Sequence, residues 1–154
     1  MTESAKVYRV RPVKVTTHVP AGPDEVFSYV SDTRNDPEWC PNVTDVRQVS
    51  GDGVELGAGF EFHQSVEVQG RELVSEVEVE VVELGESHIR WRVEDRFQVR
   101  DVLLEVARDG DGTKVTQTTT AIFKRKPGLA KWFYPRLARR TFRDQFQELA
   151  GRFT

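Results

Sequence analysis

One cysteine and two histidines could form a nucleophile and its base. Cys40 is the single cysteine, a thiol attacks only as the thiolate, and His18 or His63 could take its proton. Trp39 and Pro41 flank Cys40, and these apolar neighbours favour the neutral thiol, with no cation close by in sequence to oppose them. We therefore predict that Cys40 packs as an unreactive thiol, with a nucleophilic role as the alternative.

Two other groupings could support metal binding or acid–base catalysis. His63 shares one strand parity with Glu61 and Glu67, but the HxxxH or CxxC spacing of metal sites is absent, so we predict a solvated strand face and no metal. Asp95 and Arg96 could act as an acid–base pair at a cavity mouth, but charges that form a turn are far commoner, so we favour the turn. We assign no catalytic residue from the sequence.

Length and composition limit the class of protein. The chain has 154 residues, of which 38% are hydrophobic and 31% charged, and a net charge of only −3. These values predict one folded domain over residues 1–154, with enough chain to bury a core. The single cysteine excludes an intramolecular disulfide, and the polar start shows no secretory signal, so we expect a cytoplasmic protein.

Alternation of apolar and polar residues predicts a large antiparallel sheet. Valine occurs 23 times, and β-branched residues suit a pleated surface. Alternation and turn residues predict six to seven strands. They fall near residues 7–18, 43–49, 60–68, 73–81, 89–93, 97–106 and 113–124. The apolar phase changes within 97–106, which predicts a bulge near Arg100 and Asp101.

Helical signals frame the sheet. Pro23 and two acidic residues begin a short helix after the first strand, and residues 32–40 form a second short helical piece. The chain after Gly128 has helical spacing, and Pro135 predicts a kink before a main helix from about Arg136 to Arg152. This order indicates an α+β fold in which a curved sheet wraps one long C-terminal helix.

Three segments resemble a known superfamily. They are the stretch 15–32, the stretch 36–41 (Asp-Pro-Glu-Trp-Cys-Pro) and the stretch 110–116 (Gly-Asp-Gly-Thr-Lys-Val-Thr). They are similar to the START-related, birch-pollen-allergen-like helix-grip (SRPBCC) superfamily, most nearly to its bacterial polyketide cyclase/dehydrase-like branch. The resemblance spans about residues 13–153. It implies a helix-grip fold, and none of the three motifs is catalytic.

The resemblance implies a cavity between sheet and long helix that holds a hydrophobic or amphipathic small molecule, such as a lipid or a polyketide, without a cofactor. The expected lining combines apolar walls with a few polar groups. The candidate residues are Trp39, Phe60, Phe62, Gln64, Ser75, Val77, Trp91, Gln117, Thr119, Trp132, Phe133 and Phe142. As the alternative, the polar groups bond one another or buried water, and the aromatic residues form ordinary core.

A cyclase or dehydratase enzyme is the first rival function. The cyclases of this superfamily carry a cavity arginine on the fourth strand beside a serine. The matching strand here keeps Ser75 but has Val77 where the cation is expected. This departure argues against the same chemistry, because closing a poly-keto chain requires stabilisation of an oxyanion.

The basic C-terminal segment suggests a second rival function. Residues 124–152 contain nine Lys or Arg against two acidic residues. Such a helix could dock transiently on an anionic membrane or on a partner, or it could be a solvated outer face. We expect no nucleic acid partner, because no platform of strand aromatics accompanies the charge. We expect a monomer or a homodimer.

Overall fold

The computed structural model describes residues 8–50, 56–67 and 74–154. Among these residues, seven strands and three α-helices are present, with a 3₁₀ turn at Thr33–Asn35. The strands are β1 (Val13–Val19), β2 (Val43–Ser50), β3 (Glu61–Glu67), β4 (Val74–Leu84), β5 (His88–Glu94), β6 (Gln98–Asp109) and β7 (Gly112–Phe123). The helices are α1 (Pro23–Val30), α2 (Asp36–Trp39) and α3 (Ala130–Arg152).

The described strands form one antiparallel sheet in the order β1-β7-β6-β5-β4-β3-β2. Consecutive strands from β2 to β7 pair with each other, and β1 closes the edge against β7. Tight turns make this order possible, as at Gly110, whose φ of 60° suits a residue without Cβ. The predicted α+β helix-grip fold, with two short helical pieces after the first strand, is confirmed.

The sheet buries one face against α3. Inward residues alternate along each strand, as Val77, Val79 and Val81 do on β4. The buried stripe of α3 lies against this face and comprises Ala138, Phe142, Phe146 and Leu149. The edge of the core is closed by α2, where Trp39 stacks on Phe146 with ring centroids 6.4 Å apart. The core is therefore shared between the sheet, α2 and the second half of α3.

Two local expectations are wrong. β6 pairs with β5 and β7 without a register shift, so there is no bulge at Arg100. The strand stays regular, and Arg100 occupies an inward position in phase with Val102 and Leu104. The main helix also begins at Ala130 rather than at about Arg136, because α3 is a single helix from Ala130 to Arg152 with Pro135 inside it. Pro135 lies near the start of α3, where the loss of one hydrogen bond affects only the first turns.

Candidate functional site

A cavity of about 170 Å³ lies between the inner face of the sheet, α2 and α3, and it opens to solvent. Its apolar wall contains two tryptophans, Phe142 and several valines. Its polar groups come from five different elements and from Asn42 in the loop after α2. The lining residues are Asp36, Trp39, Cys40, Asn42, Val43, Gln64, Val66, Val79, Trp91, Val93, Arg100, Val102, Gln117, Thr141, Phe142 and Gln145.

The short helix α2 aims a carboxyl and an indole at the cavity. Asp36 and Trp39 are three residues apart, so one helical turn brings them to the same face. Pro37 favours the start of this helix, and the chain leaves it at Cys40, whose backbone N–H donates to the Asp36 carbonyl at 2.8 Å. One helical turn thus supplies three lining residues.

Asp36 is the titratable group of the cavity. Gln64 Nε2 donates to Asp36 Oδ2 at 2.6 Å. Withdrawal of the carboxyl from bulk water raises the pKa of Asp36 to about 8, and this effect outweighs the opposing effect of the Gln64 hydrogen bond. Asp36 therefore keeps its proton at neutral pH, and the site presents a carboxylic acid rather than a carboxylate.

Arg100 is the cation of the cavity. It enters from β6 and is partly buried, and its Nε has no hydrogen-bond partner within the described residues. Burial raises the pKa of Tyr134 on α3, and the positive charge of Arg100 opposes this rise. No described carboxylate forms a salt bridge with Arg100, so no acidic side chain among the described residues pairs with this partly buried charge.

Two indole groups in the wall are also unpaired. Trp39 and Trp91 are only 4% and 7% exposed, and the Nε1 of each lacks an acceptor among the residues that the structure describes. A buried donor without an acceptor costs about 1–3 kcal/mol. The cavity wall therefore holds three unsatisfied N–H groups, from Trp39, Trp91 and Arg100.

The structure brings together five of the predicted lining residues. These are Trp39, Gln64, Trp91, Gln117 and Phe142. Four others, Phe60, Phe62, Val77 and Thr119, are buried in the interior but do not line the cavity. The side chain of Ser75 lies outside the described part of the chain. The ligand-binding role of all these residues stays a prediction.

Trp132 and Phe133 do not line the cavity. They are 78% and 56% exposed, so the expectation that they face inward is wrong. Because α3 continues through Pro135, these residues lie about 120° and 140° around the helix axis from Ala138, which belongs to the buried stripe. Helical spacing of aromatic residues was the signal for core, but these two lie on the outer face.

The alternative that the polar lining groups bond one another holds in part. Gln64 donates to Asp36, and Gln117 Nε2 donates to Thr119 Oγ1 at the long distance of 3.4 Å. Both predicted glutamines thus have protein partners for one donor each. The unpaired donors belong instead to Trp39, Trp91 and Arg100.

The alternative catalytic groups are dispersed. Cys40 is buried, and this burial raises the pKa of its thiol, with a smaller contribution in the same direction from Asp36. His18 Nδ1 lies 3.1 Å from Asp109 Oδ2, and His63 alternates with the inward residues of β3 and lies beside Arg47. Neither histidine contacts Cys40 among the described interactions, so no nucleophile–base pair forms there.

Asp95 has a structural role in a turn. Its Oδ1 accepts the backbone N–H groups of Phe97 and Gln98 at 2.7 and 2.9 Å. Arg96 lies over the Phe97 ring, 5.6 Å from its centroid. The turn interpretation explains both charges.

Two features are absent from the residues that the structure describes. No group of three or more His, Cys, Asp or Glu residues is arranged to hold a metal ion in the described part of the chain. No helix within it is long and apolar enough to cross a membrane. The expectation of no metal cofactor and of a cytoplasmic location stays a prediction.

Sequence reasoning missed Asp36 and Arg100. Asp36 enters the sequence analysis only as the first residue of the motif 36–41, and nothing in that motif marks it as a buried acid. Arg100 has the parity of Val102, Leu104 and Val106, and this parity could have identified it as inward. A bulge at Arg100 would have broken this parity, so the expectation of a bulge left Arg100 unassigned to either face of the strand.

Structures with the same fold come from several sources. A START superfamily protein from Mycobacterium smegmatis is 20% identical with a TM-score of 0.76, covering 92% of this chain and 96% of that one. The Zhui aromatase/cyclase from Streptomyces sp. R1128 is 16% identical with a TM-score of 0.75, covering 92% of each chain. Ara h 8.0201 is 14% identical with a TM-score of 0.71, covering 93% of this chain and 97% of that one.

These identities show a shared fold and nothing finer. No curated protein matches the sequence. A sequence profile described as "Polyketide cyclase / dehydrase and lipid transport" matches residues 11–154. Because this match covers nearly the whole length, the chain belongs to the polyketide cyclase / dehydrase and lipid transport family, and it shares its helix-grip fold with the solved structures.

Proposed function

We propose that the cavity binds an amphipathic small molecule that places a ring or short chain against the apolar wall and oxygen acceptors against the unpaired donors. The observation that carries this proposal is the set of buried N–H groups of Trp39, Trp91 and Arg100 that have no acceptor within the described residues. Buried donors in folded proteins are almost always paired. A ligand carbonyl, phenol or carboxylate would supply the missing acceptors.

The size of the cavity narrows the ligand class. A closed apolar cavity of about 150 Å³ holds a benzene ring. The cavity here, about 170 Å³ and open to solvent, thus suits one ring or a short acyl chain inside, with the remainder of a larger ligand at the opening. A whole sterol body exceeds this space.

The free energy of binding shows why the polar groups are needed for affinity. Burial of a six-carbon ring gives roughly 5 kcal/mol at about 0.8 kcal/mol per methylene. Association costs at least about 4 kcal/mol, which leaves little affinity from the apolar wall. A hydrogen bond to a charged group contributes about 1.5–3 kcal/mol, so Arg100 would contribute most to the selection of an oxygenated ligand.

Ligand binding can be tested in two steps. Native mass spectrometry of the freshly purified chain should show a co-purified molecule of small mass. Calorimetry should then show that a phenol or short β-keto acid binds at least tenfold more tightly than a hydrocarbon of equal size. Equal affinities for the two would contradict the proposal.

An arginine substitution locates the binding site. Arg100→Gln should weaken binding of the oxygenated probe about tenfold and leave the hydrocarbon unaffected. Arg108→Gln is the matched control, because Arg108 lies on the same strand and is exposed. The same loss in both variants would mean that the cavity is not the binding site.

A cyclase or dehydratase reaction is the second candidate, and the acid in the cavity favours it. Asp36, with a pKa of about 8, can donate its proton at pH 7 to the β-hydroxyl as that group leaves as water, and the carboxylate so formed can take the proton of the α-carbon, which restores the acid. Arg100 could offset the negative charge on an enolate oxygen, and so supply from β6 the cation absent at Val77 of β4. These two groups support a reaction on a β-hydroxy carbonyl substrate.

Substitution at Asp36 separates binding from turnover. If the protein is an enzyme, Asp36→Asn should abolish release of water from a short β-hydroxy ketone while the affinity for the substrate changes less than threefold. Ser75→Ala or Gln117→Ala should also abolish turnover rather than only weaken binding. An absence of turnover in the unaltered chain, with intact binding, would leave the binding function alone.

A further inference from the structure

The first half of α3 exposes large apolar side chains. Leu129 just before the helix, Trp132, Phe133 and Leu137 are 74%, 78%, 56% and 57% exposed. Such a group on one helical segment exceeds the scattered apolar residues that are normal on a protein surface. We call these four residues the apolar ridge.

Cations are interleaved with the apolar ridge. Residues 124–143 contain eight Lys or Arg and no acidic residue. Trp132, Arg136 and Arg140 follow each other at four-residue spacing, so they share the outward side of α3, away from buried Ala138. A shallow surface groove of the same segment is lined by Arg136, Arg139, Arg140 and Arg143, with Pro135, Asp144 and Gln147.

The positive charge of this face and its mixture of aromatic rings and arginines indicate which partner could cover it. Tryptophan and arginine are also enriched at protein–protein interfaces, but a second copy of this face would place cations against cations, because residues 124–143 contain no acidic residue. At a lipid surface, by contrast, tryptophan rings sit at the headgroup level and arginines extend from the apolar layer to phosphate. A helix with this pattern lies in the plane of the interface.

We infer that the chain docks on anionic membranes through the outward face of α3, with the apolar ridge at the acyl boundary and the interleaved arginines on lipid phosphates. The same helix contributes Thr141 and Phe142 to the cavity, and Tyr134 lies within reach of Arg100. Those cavity residues lie on the inner side of α3, so docking through the outward face would leave the helix between the lipid and the cavity. The inference does not depend on what the cavity binds.

Vesicle sedimentation with the full chain tests this docking. Vesicles of phosphatidylcholine that contain a minority of phosphatidylserine should bind the chain, vesicles of phosphatidylcholine alone should bind it at least tenfold more weakly, and high salt should reduce the difference. Brominated lipid should quench tryptophan fluorescence in the bound state. Absence of binding, or equal binding to both vesicles at low salt, overturns the inference.

Variants separate the two contributions. Trp132→Ser with Phe133→Ser should reduce vesicle binding at least tenfold and remove most of the lipid quenching. Arg139→Gln with Arg140→Gln should reduce binding about 25-fold, because one cation near an anionic surface is worth about fivefold. Lys14→Gln with Lys114→Gln removes the same charge from exposed strand positions and should change binding less than threefold.

Two further measurements test whether the variants fold normally and whether the ridge binds a second copy of the chain instead of lipid. All these side chains are exposed, so circular dichroism and thermal melting should be the same for every variant. Analytical ultracentrifugation tests the other occupant. If the chain dimerises without vesicles and Trp132→Ser with Phe133→Ser abolishes the dimer but not vesicle binding, the ridge is a subunit interface and the inference is wrong. Unchanged vesicle binding by this double variant overturns it in any case.

Discussion

Asp36 should make the stability of the chain depend on pH in a direction opposite to that of most carboxylates. Its pKa is about 8 in the folded chain, whereas an ordinary aspartate has a pKa of 3.8. Between these two pH values the folded state retains a proton that the unfolded state has released. By linkage, the unfolding free energy falls as pH rises through this range, and the stabilisation is fully present only below about pH 4.

The magnitude follows from the difference in proton affinity. One pKa unit corresponds to about 1.4 kcal/mol, and the carboxyl retains some contact with solvent, so we expect a loss on the order of 4 kcal/mol between pH 4 and pH 8. Asp36→Asn removes the titration and keeps an oxygen that accepts from Gln64 Nε2. The variant should therefore gain stability relative to the unaltered chain as pH rises.

Denaturant unfolding at a series of pH values measures this difference. The gap in unfolding free energy between Asp36→Asn and the unaltered chain should grow steadily in favour of the variant from about pH 4 to about pH 9. Asp45→Asn, a change of an exposed aspartate on β2, is the control and should give a nearly constant gap. A gap for Asp36→Asn that is equally flat would refute the claim that burial holds the Asp36 proton.

Three further outcomes follow from the packing. Phe146→Ala should lower the unfolding free energy by about 3–5 kcal/mol in a urea titration, while Phe97→Ala at an exposed position should change it by less than about 0.5 kcal/mol. A thiol reagent should label Cys40 rapidly in urea but hardly at all in the native chain, and fast native labelling would contradict the buried thiol. Arg152→Gln removes two hydrogen bonds to the Glu38 carbonyl, 2.6 and 3.0 Å long, and should cost about 1 kcal/mol by the same titration.

The sheet and the long helix were predictable because their residues carry a strong periodic signal. Alternation along β3 put Phe62 and Gln64 inward, and the spacing of Phe142 and Phe146 marked the buried stripe of α3. Such periodicity depends only on local geometry. The architecture therefore followed from the sequence.

The less regular features of the site were not predictable in this way. Arg100 is a charged residue at an inward position, and a hydrophobic pattern cannot distinguish such a position from a bulge. Trp132 has core-like spacing but an outward placement that only the tertiary packing of α3 decides. The volume of the cavity depends on how far α3 sits from the sheet, which no single segment encodes.

The two ends of α3 are attached to the rest of the fold unequally. Its distal end is fastened by buried Leu149 and by Arg152, which grips the carbonyl of Glu38 on the neighbouring helix. Its proximal end carries Pro135, which has no N–H to give to the preceding turn, and few of its side chains are enclosed. We therefore expect the backbone amides of the first turns of α3 to exchange hydrogen fastest, while Thr141, Phe142 and Gln145, which line the cavity, belong to the well-attached part of the helix.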